Sequence, residues 1–333
     1  GRGCYHPCET ACNRIELDGS VSIHSVERYL GDLAIEQGWT FRRTRPATGR
    51  RVLVVGAGPS GLSAAYQLAM LGHDVEIRDA SAQPGGMMRY GIPKYRLPRD
   101  VLDAEVARIT DLGVRIVTEH RITDLLAEQS EGGFDAVFVA IGAHLSKRVD
   151  IPTRDASRIV DAVSFLRDVA SGERPVIGRR VAVYGGGNTA MDAARVARRL
   201  GAEESIVVYR RTQEQMPAHP SEREEALAEG VQMNWLRTIS SLDESDMTVE
   251  VMELDDQGRA VGTGRFETLQ ADTVILALGQ ETDSDFLKAI PGMRFDRDVL
   301  QVDGTSLMTD VPGIFAGGDA GGVHGRVATA VDL

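Results

Sequence analysis

The sequence predicts an α/β protein with two βαβ domains on parallel sheets, and three observations carry the prediction. One plan is written twice, as RVLVVGAGPSGLSAAYQLAMLGHDVEIRDA (51–80) and as RVAVYGGGNTAMDAARVARRLGAEESIVVYRR (180–211). In each copy a short β-branched run enters a glycine turn, an amphipathic helix of small residues follows, and a second Val/Ile-rich run closes the unit. Each copy has a matched downstream run, FDAVFVAIGA (134–143) and ADTVILALGQ (271–280). These runs are apolar throughout instead of alternating, the pattern of strands covered by helices on both faces.

Size and charge fit that class. A chain of 333 residues and 36.0 kDa can build two domains, each with its own interior. A net charge of -12 argues against a nucleic-acid partner, because duplex binding needs Lys and Arg to neutralise phosphates. No apolar run approaches the roughly 20 residues that cross a bilayer, and the first residues lack the basic-then-apolar shape of a secretory signal. The expectation is a cytoplasmic protein with no membrane partner.

The first glycine turn places Gly56, Gly58 and Gly61 in G-x-G-x-x-G, with Pro59 and Ser60 between them. The first glycine permits the tight turn, the second lets backbone approach a pyrophosphate, and the third lets helix lie against strand. Asp79 ends the second strand, about 20 residues on, where a Rossmann-like domain meets a ribose hydroxyl. Gly142, closing the matched downstream run, is assigned to the same site.

The second turn carries Gly185, Gly187 and Ala190, with Asn188 and Thr189 opening its helix and Ala277 and Gly279 closing its downstream run. Where the first copy ends in an acid, this one ends in Arg210 and Arg211. An acid there accepts the 2′-hydroxyl of NAD, whereas guanidinium groups suit the 2′-phosphate of NADP. NADP is the expected coenzyme. NAD, with the arginines as a solvated surface pair, is the alternative.

A third segment, VPGIFAGGDAGG (311–322), is a strand running into Gly317, Gly318 and Asp319. Asp319 is a candidate to accept hydrogen bonds from a polyol chain, with a helix expected in RVATAVDL (326–333) facing phosphate or a flavin carbonyl. An ordinary Asp-capped glycine turn is the bland alternative.

The segments GAGPSGLSAA, GGMMRYGIPKYRLPRDVL, GGGNTAMDAAR, VVYRRTQEQMPAHPSE and GIFAGGDA resemble the small, flavin-carrying subunit of NADPH-dependent glutamate synthase. They are also similar to the flavin and NADPH domains of dihydropyrimidine dehydrogenase and of ferredoxin:NADP transhydrogenases. The likeness covers nearly the whole chain, and 85–102 is its most specific part. It implies FAD on the first turn, with the backbone of Gly86 and Met87 and the side chain of Arg96 near the flavin. Packing for Met87 and a surface ion pair for Arg96 are the alternatives.

The cysteines of the chain are Cys4, Cys8 and Cys12. An odd, clustered set is unlike a secreted disulfide framework and more often binds metal or does redox work. The resemblance implies two 4Fe-4S clusters in a helical N-terminal domain, with Cys4 and Cys8 on one cluster, Cys12 on the other, and Glu27 supplying a side-chain ligand. Four ligands per cluster are usual, so three cysteines point to an internal fragment that begins inside the cluster domain and stops within a helix closing the flavin site. Three thiols on one helical face, or zinc with His6, are the other readings.

The expected architecture has a partial cluster domain (1–45), a discontinuous FAD domain (47–150 and 285–333) and an inserted nicotinamide domain (151–284). VSIHSVERYLGDLAIEQGW (21–39) is the clearest N-terminal helix, and TRPATGRR (44–51) is the linker. No acid or base is nominated as catalytic, since hydride transfer needs stacking and orientation more than proton chemistry. His219 and Glu222 read as a Pro-bounded loop entering a helix. A disulfide-reductase reading fails because no cysteine pair follows Cys12. The leading expectation is an electron-input module that moves hydride from NADPH to FAD, then single electrons through clusters to a large catalytic subunit or ferredoxin. A stand-alone NAD(P)H diaphorase and a non-catalytic structural flavoprotein subunit are the alternatives.

Overall fold

The computed structural model describes residues 2–147, 149, 151–154 and 158–322. The helix expected in 326–333 lies outside them. The chain forms two units, one of Gly1–Arg89, Lys94–His144 and Thr282–Leu333, the other of Tyr90–Pro93 and Leu145–Glu281. Sequence reading put the crossings near 150 and 284, and it treated 1–45 as a separate domain. No helix among the described residues is long and apolar enough to cross a membrane.

The first unit contains a five-stranded parallel sheet in the order Ile314–Ala316, Ala136–Val139, Arg51–Val55, Asp74–Arg78, Arg115–Val117. Its strands are apolar on both sides because both sides are buried. Val54 and Ile77 pack with Leu62, Ala65 and Leu102 of the covering helices Pro59–Met70 and Arg99–Thr110, while Leu53, Val55 and Val137 pack with Leu125, Leu287 and Leu300. The segment read as a linker is fixed coil: the N–H groups of Thr44 and Thr48 donate to Met70 O and Gly72 O. The expected N-terminal helix is present as Ile23–Glu36.

The second unit repeats the plan with a parallel sheet in the order Gln232–Trp235, Glu204–Tyr209, Arg180–Tyr184, Thr273–Leu276, Arg158–Asp161. It adds a sheet that sequence reading did not anticipate, in the order Ala260–Gln270, Asp246–Leu254, Arg237–Asp243, Thr153–Arg154. Its long strands are antiparallel. The signal was available, since Met247, Val249 and Val251 alternate with polar residues and are buried. Met247 and Val249 join Ala182, Tyr184 and Val208 in one core.

The repeat extends further than the quoted copies. Asp135 accepts from Arg51 N (2.8 Å) and the Arg50 guanidinium, and Asp272 accepts from Arg179 N (2.8 Å), Arg180 N (2.9 Å) and the Arg180 guanidinium. Each aspartate fixes the start of the central strand from its neighbour. The Arg51 N–H holds the Asp135 carboxyl below its usual range, and the Arg180 side chain does so for Asp272. Carboxylates lowered on folding stabilise above their ordinary pKa and lose that contribution as pH falls through the lowered value. The Asp272→Asn protein is therefore expected to show a flatter loss of thermal midpoint on acidification than the parent. An identical acid limb in the two proteins would contradict this.

In the second unit Arg195, 3 % exposed, pairs with Glu222 (3.4 Å), Glu225 (2.8 Å) and Glu229 (2.7 Å), joining helices Asn188–Arg199 and Pro220–Ala228. The Arg195→Met change leaves Glu222 buried without its cation and is expected to cost about 3–5 kcal/mol. Denaturant unfolding followed by Trp235 fluorescence measures it. Adding Glu222→Leu should restore part of the loss, and a single variant as stable as the parent would refute the estimate.

Candidate functional site

In the first unit the turn closes on backbone alone. Gly56 has φ +106°, and a side-chain carbon there would stand 2.5 Å from Ala140 O; on Gly61 it would stand 1.9 Å from Gly56 O. The helix Pro59–Met70 starts at Gly58, where the first N–H groups of a helix have no intrahelical acceptor. Ser60 Oγ is buried at this helix start and has no hydrogen-bond partner among the described residues. Two distant segments meet the turn. Gly85 N donates to Ala57 O (2.7 Å), and Gly86 lies so close that a side-chain carbon would fall 2.7 Å from Gly58 Cα. A carbon on Gly317 would lie 3.4 Å from Ser60 Oγ, so the strand Ile314–Ala316 delivers Gly318 and Asp319 to the same place.

Gly56, Gly58, Pro59, Ser60, Gly61, Gly86 and Gly317 thus meet at one helix start, and Met87, Gly318 and Asp319 follow the last two in the chain. Asp79 is buried beneath it and has a role that sequence reading did not give it. Its carboxylate accepts from Ala57 N (2.6 Å) and Ser81 N (2.7 Å), tying the turn to the end of the Asp74–Arg78 strand. Each oxygen keeps a lone pair for a further donor. Gly142 has φ +66° with open space beside it. Arg96 donates to the Tyr5 hydroxyl (3.2 Å).

Two arginines outside the expected set hold the Gly85–Gly86 segment. Buried Arg89 donates to Pro84 O (2.5 Å) and Gln83 (3.1 Å) and pairs with Asp103. Arg99 donates to Leu97 O (2.7 Å), Met88 O (3.3 Å) and Arg89 O. Burial, and then the charge of Arg89, pull the pKa of Arg99 below its usual value. An orphaned hydroxyl at a helix start, walled by glycines with no room for side chains, suits a pyrophosphate group. The site fits the dinucleotide end of FAD.

The second turn is built the same way. A carbon on Gly185 would stand 2.2 Å from Ala277 O, as on Gly56 it meets Ala140 O. Ala140 was missed, although it matches Ala277 in the paired downstream runs. Gly187 precedes the helix Asn188–Arg199, Thr189 is half-buried, and Ala190 is fully buried. Asn188 Oδ1 accepts from His219 N (2.8 Å), a tie that its turn position does not announce. Gly279 has φ +110°, and its carbonyl accepts from Lys147 N (3.0 Å). Arg210 is exposed, and among the described residues its side chain has no hydrogen bond or ion pair. Arg211 Nε is buried and unpartnered. Free guanidinium groups at the end of the Glu204–Tyr209 strand fit a phosphate ester.

The cysteines do not assemble. The alternative of three thiols on one helical face is not met, because Pro7–Thr10 is a four-residue helix and Cys12 sits in extended backbone before a 3-10 turn, Asn13–Glu16. Cys4 Sγ accepts from His6 N (3.2 Å), Cys8 is exposed, and the N–H groups of Val21 and Arg14 hold the Cys12 thiol below its ordinary pKa. Glu27 is exposed on the Ile23–Glu36 helix. Among the described residues no three His, Cys, Asp or Glu side chains are grouped to hold a metal, which speaks against zinc held by the three thiols with His6, whereas the cluster reading puts no more than part of each ligand set in this chain.

Comparison with known proteins agrees with the fold. The chain is 39% identical to the NADP(+)-dependent formate dehydrogenase subunit beta of Moorella thermoacetica, with 96% of this chain and 50% of the relative aligned. It is 33% identical to the NADPH glutamate synthase small chain of Azospirillum brasilense, over 90% of this chain and 68% of the relative. It therefore spans about half the length of the first of these relatives. Mycobacterium tuberculosis FprA in complex with NADPH superposes with a TM-score of 0.67 at 20% identity, over 86% of this chain and 83% of that one, a likeness of fold. The family model for pyridine nucleotide-disulphide oxidoreductases matches residues 50–332. The chain belongs to that family of NAD(P)H-dependent flavoprotein oxidoreductases, and with it stands close to the glutamate synthase small chains.

Proposed function

We propose that this chain is the electron-input module of a cytoplasmic oxidoreductase, taking hydride from NADPH onto FAD and passing electrons to a partner protein. The observation that supports it is the opposite chemistry of two turns of one plan. The first ends in the anion Asp79, and the second in two arginines whose side chains have no partner among the described residues. FAD, when bound, supplies the hydride acceptor and the means to release electrons singly. The protein's part is to hold. Gly58, Ser60 and Gly86 cradle the pyrophosphate, Asp79 keeps the turn in register and accepts a ribose hydroxyl, and Asp319 meets the polyol chain.

On the coenzyme side Gly185, Gly187 and the helix start at Asn188 take the pyrophosphate, and Arg210 and Arg211 take the 2′-phosphate. Relatives named as subunit beta or small chain support an acceptor that is another polypeptide, such as a large catalytic subunit or a ferredoxin. Passage through 4Fe-4S clusters, with Cys4 and Cys8 on one and Cys12 on the other, is what the sequence resemblance implies for the route to that acceptor. Anaerobic titration of the flavin-loaded protein with NADPH and NADH tests the reading. Bleaching of the visible flavin band by NADPH at much lower concentration than by NADH is expected. Failure of both coenzymes to bleach it would refute the proposal.

A further inference from the structure

We propose that Asn188 is a positioning residue for coenzyme choice, fixing the loop that carries the two arginines to the glycine turn beneath it. The inference rests on the reading of Arg210 and Arg211 as the 2′-phosphate site. The loop leaves the Glu204–Tyr209 strand and ends at the Pro220–Ala228 helix. Three bonds fasten its outer part to the rest of the unit: Leu236 N to Arg211 O (3.2 Å), Tyr209 Oη to Gln215 O (2.9 Å) and Gln215 Nε2 to Gly258 O (3.0 Å). Two more fasten its end to the turn, Ala218 N to Gly186 O (3.0 Å) and His219 N to Asn188 Oδ1 (2.8 Å).

The last of these uses a side chain. Asn188 occupies the first position of its helix, where an asparagine has middling propensity and where Gly187 provides no side-chain cap. Its amide reaches away from the helix to a backbone N–H in another segment, so the choice of residue serves the loop. The glycine beside it is equally committed, because a side-chain carbon on Gly186 would lie 2.4 Å from the Tyr209 ring. With no hydrogen-bond or ion-pair partner among the described residues, the guanidinium groups of Arg210 and Arg211 depend for their position on the loop that carries them. Loosening one end of that backbone spreads their positions. A ligand bearing a 2′-phosphate then loses affinity that a ligand without one keeps.

The test is calorimetric titration of 5′-AMP and of 2′,5′-ADP, which differ only in the 2′-phosphate, into the flavin-loaded parent and into Asn188→Ala, Asn188→Leu, Asn188→Asp and Arg210→Ala/Arg211→Ala variants. The preference for 2′,5′-ADP over AMP is expected to fall about 3–10-fold in Asn188→Ala and Asn188→Leu, the worth of one hydrogen bond. The ratio is the readout, because Asn188 also opens the helix assigned to the pyrophosphate and a change there moves both affinities together. Asn188→Asp keeps an acceptor for His219 N. Its added charge should weaken both ligands but return their ratio to the parent's, which a merely structural role would not do. The two apolar variants guard against a single failure to fold, and measurable AMP binding reports a turn that still forms. An unchanged ratio in them, or an Asn188→Asp ratio as low as theirs, overturns the inference. A parent with no preference, or an arginine double variant that keeps it, overturns the NADP reading and this inference with it.

Discussion

Gly61→Ala is expected to produce a protein that purifies with little or no flavin, although the matching position of the second turn is naturally Ala190. A single added carbon on Gly61 would lie 1.9 Å from Gly56 O and 3.2 Å from Val54 Cγ1. The first of these is backbone at a residue with φ +106°, itself pressed against Ala140 O, so it cannot yield. The remaining escape is for the Pro59–Met70 helix to move away from the Arg51–Val55 strand. That shift carries Ser60 and the helix start off the pyrophosphate position and opens the packing of Leu62 and Ala65 on Val54. Forced overpacking of this kind costs about 1–3 kcal/mol, and against rigid backbone the upper end applies, about a hundredfold if it falls on flavin affinity. Ala190 is fully buried without such conflict, so the second helix already stands where a methyl group fits. Visible absorbance of the purified variant against its protein concentration gives the answer. Stoichiometric flavin in Gly61→Ala would show that the helix start is not the FAD cradle.

Much of this site was legible because glycine turns, apolar strand runs and terminal charges are local signals. The tight turns at Gly56 and Gly185 and the close helix packing at Gly61 follow from neighbours a few residues away, and the structure has them there. What escaped were contacts between segments distant in sequence. The closeness of Gly317 to Ser60 follows from a sheet order that places Ile314–Ala316 beside Ala136–Val139, which no local pattern encodes. Asp135 and Asp272 were open to a wider comparison of the copies, since GRRV leads into both central strands and FD and AD open the two downstream runs. The antiparallel sheet of the second unit was lost for another reason. Attention to continuous apolar runs passes over Asp246–Leu254, whose outward residues are polar because one face is solvated. The cysteine spacing shows the limit of a local interval. Four residues apart is compatible with one helical face, the alternative reading, but Pro7 starts a helix that ends at Thr10 and Cys12 lies beyond it.

Replacing both Arg210 and Arg211 by alanine is expected to abolish discrimination between NADPH and NADH while leaving the maximal rate nearly intact. Charge-assisted hydrogen bonds to a phosphate contribute about 1.5–3 kcal/mol each, so the pair should account for roughly 10²–10⁴ in the ratio of kcat/KM values. The loss should fall on KM for NADPH, because the 2′-phosphate takes no part in hydride transfer and its binding is common to ground and transition states. The two residues should not contribute equally. Arg210 is exposed and its interaction is screened by salt, whereas Arg211 has a buried Nε that gains its first hydrogen-bond partner when an anion arrives. Arg211→Ala is therefore expected to have the larger single effect, and one that persists at high ionic strength, while the Arg210→Ala effect shrinks as salt is added. Steady-state reduction of a small artificial acceptor, with each coenzyme at low and high salt, separates the two. Equal losses for NADH and NADPH would mean that the arginines support the fold of the loop and do not read the phosphate.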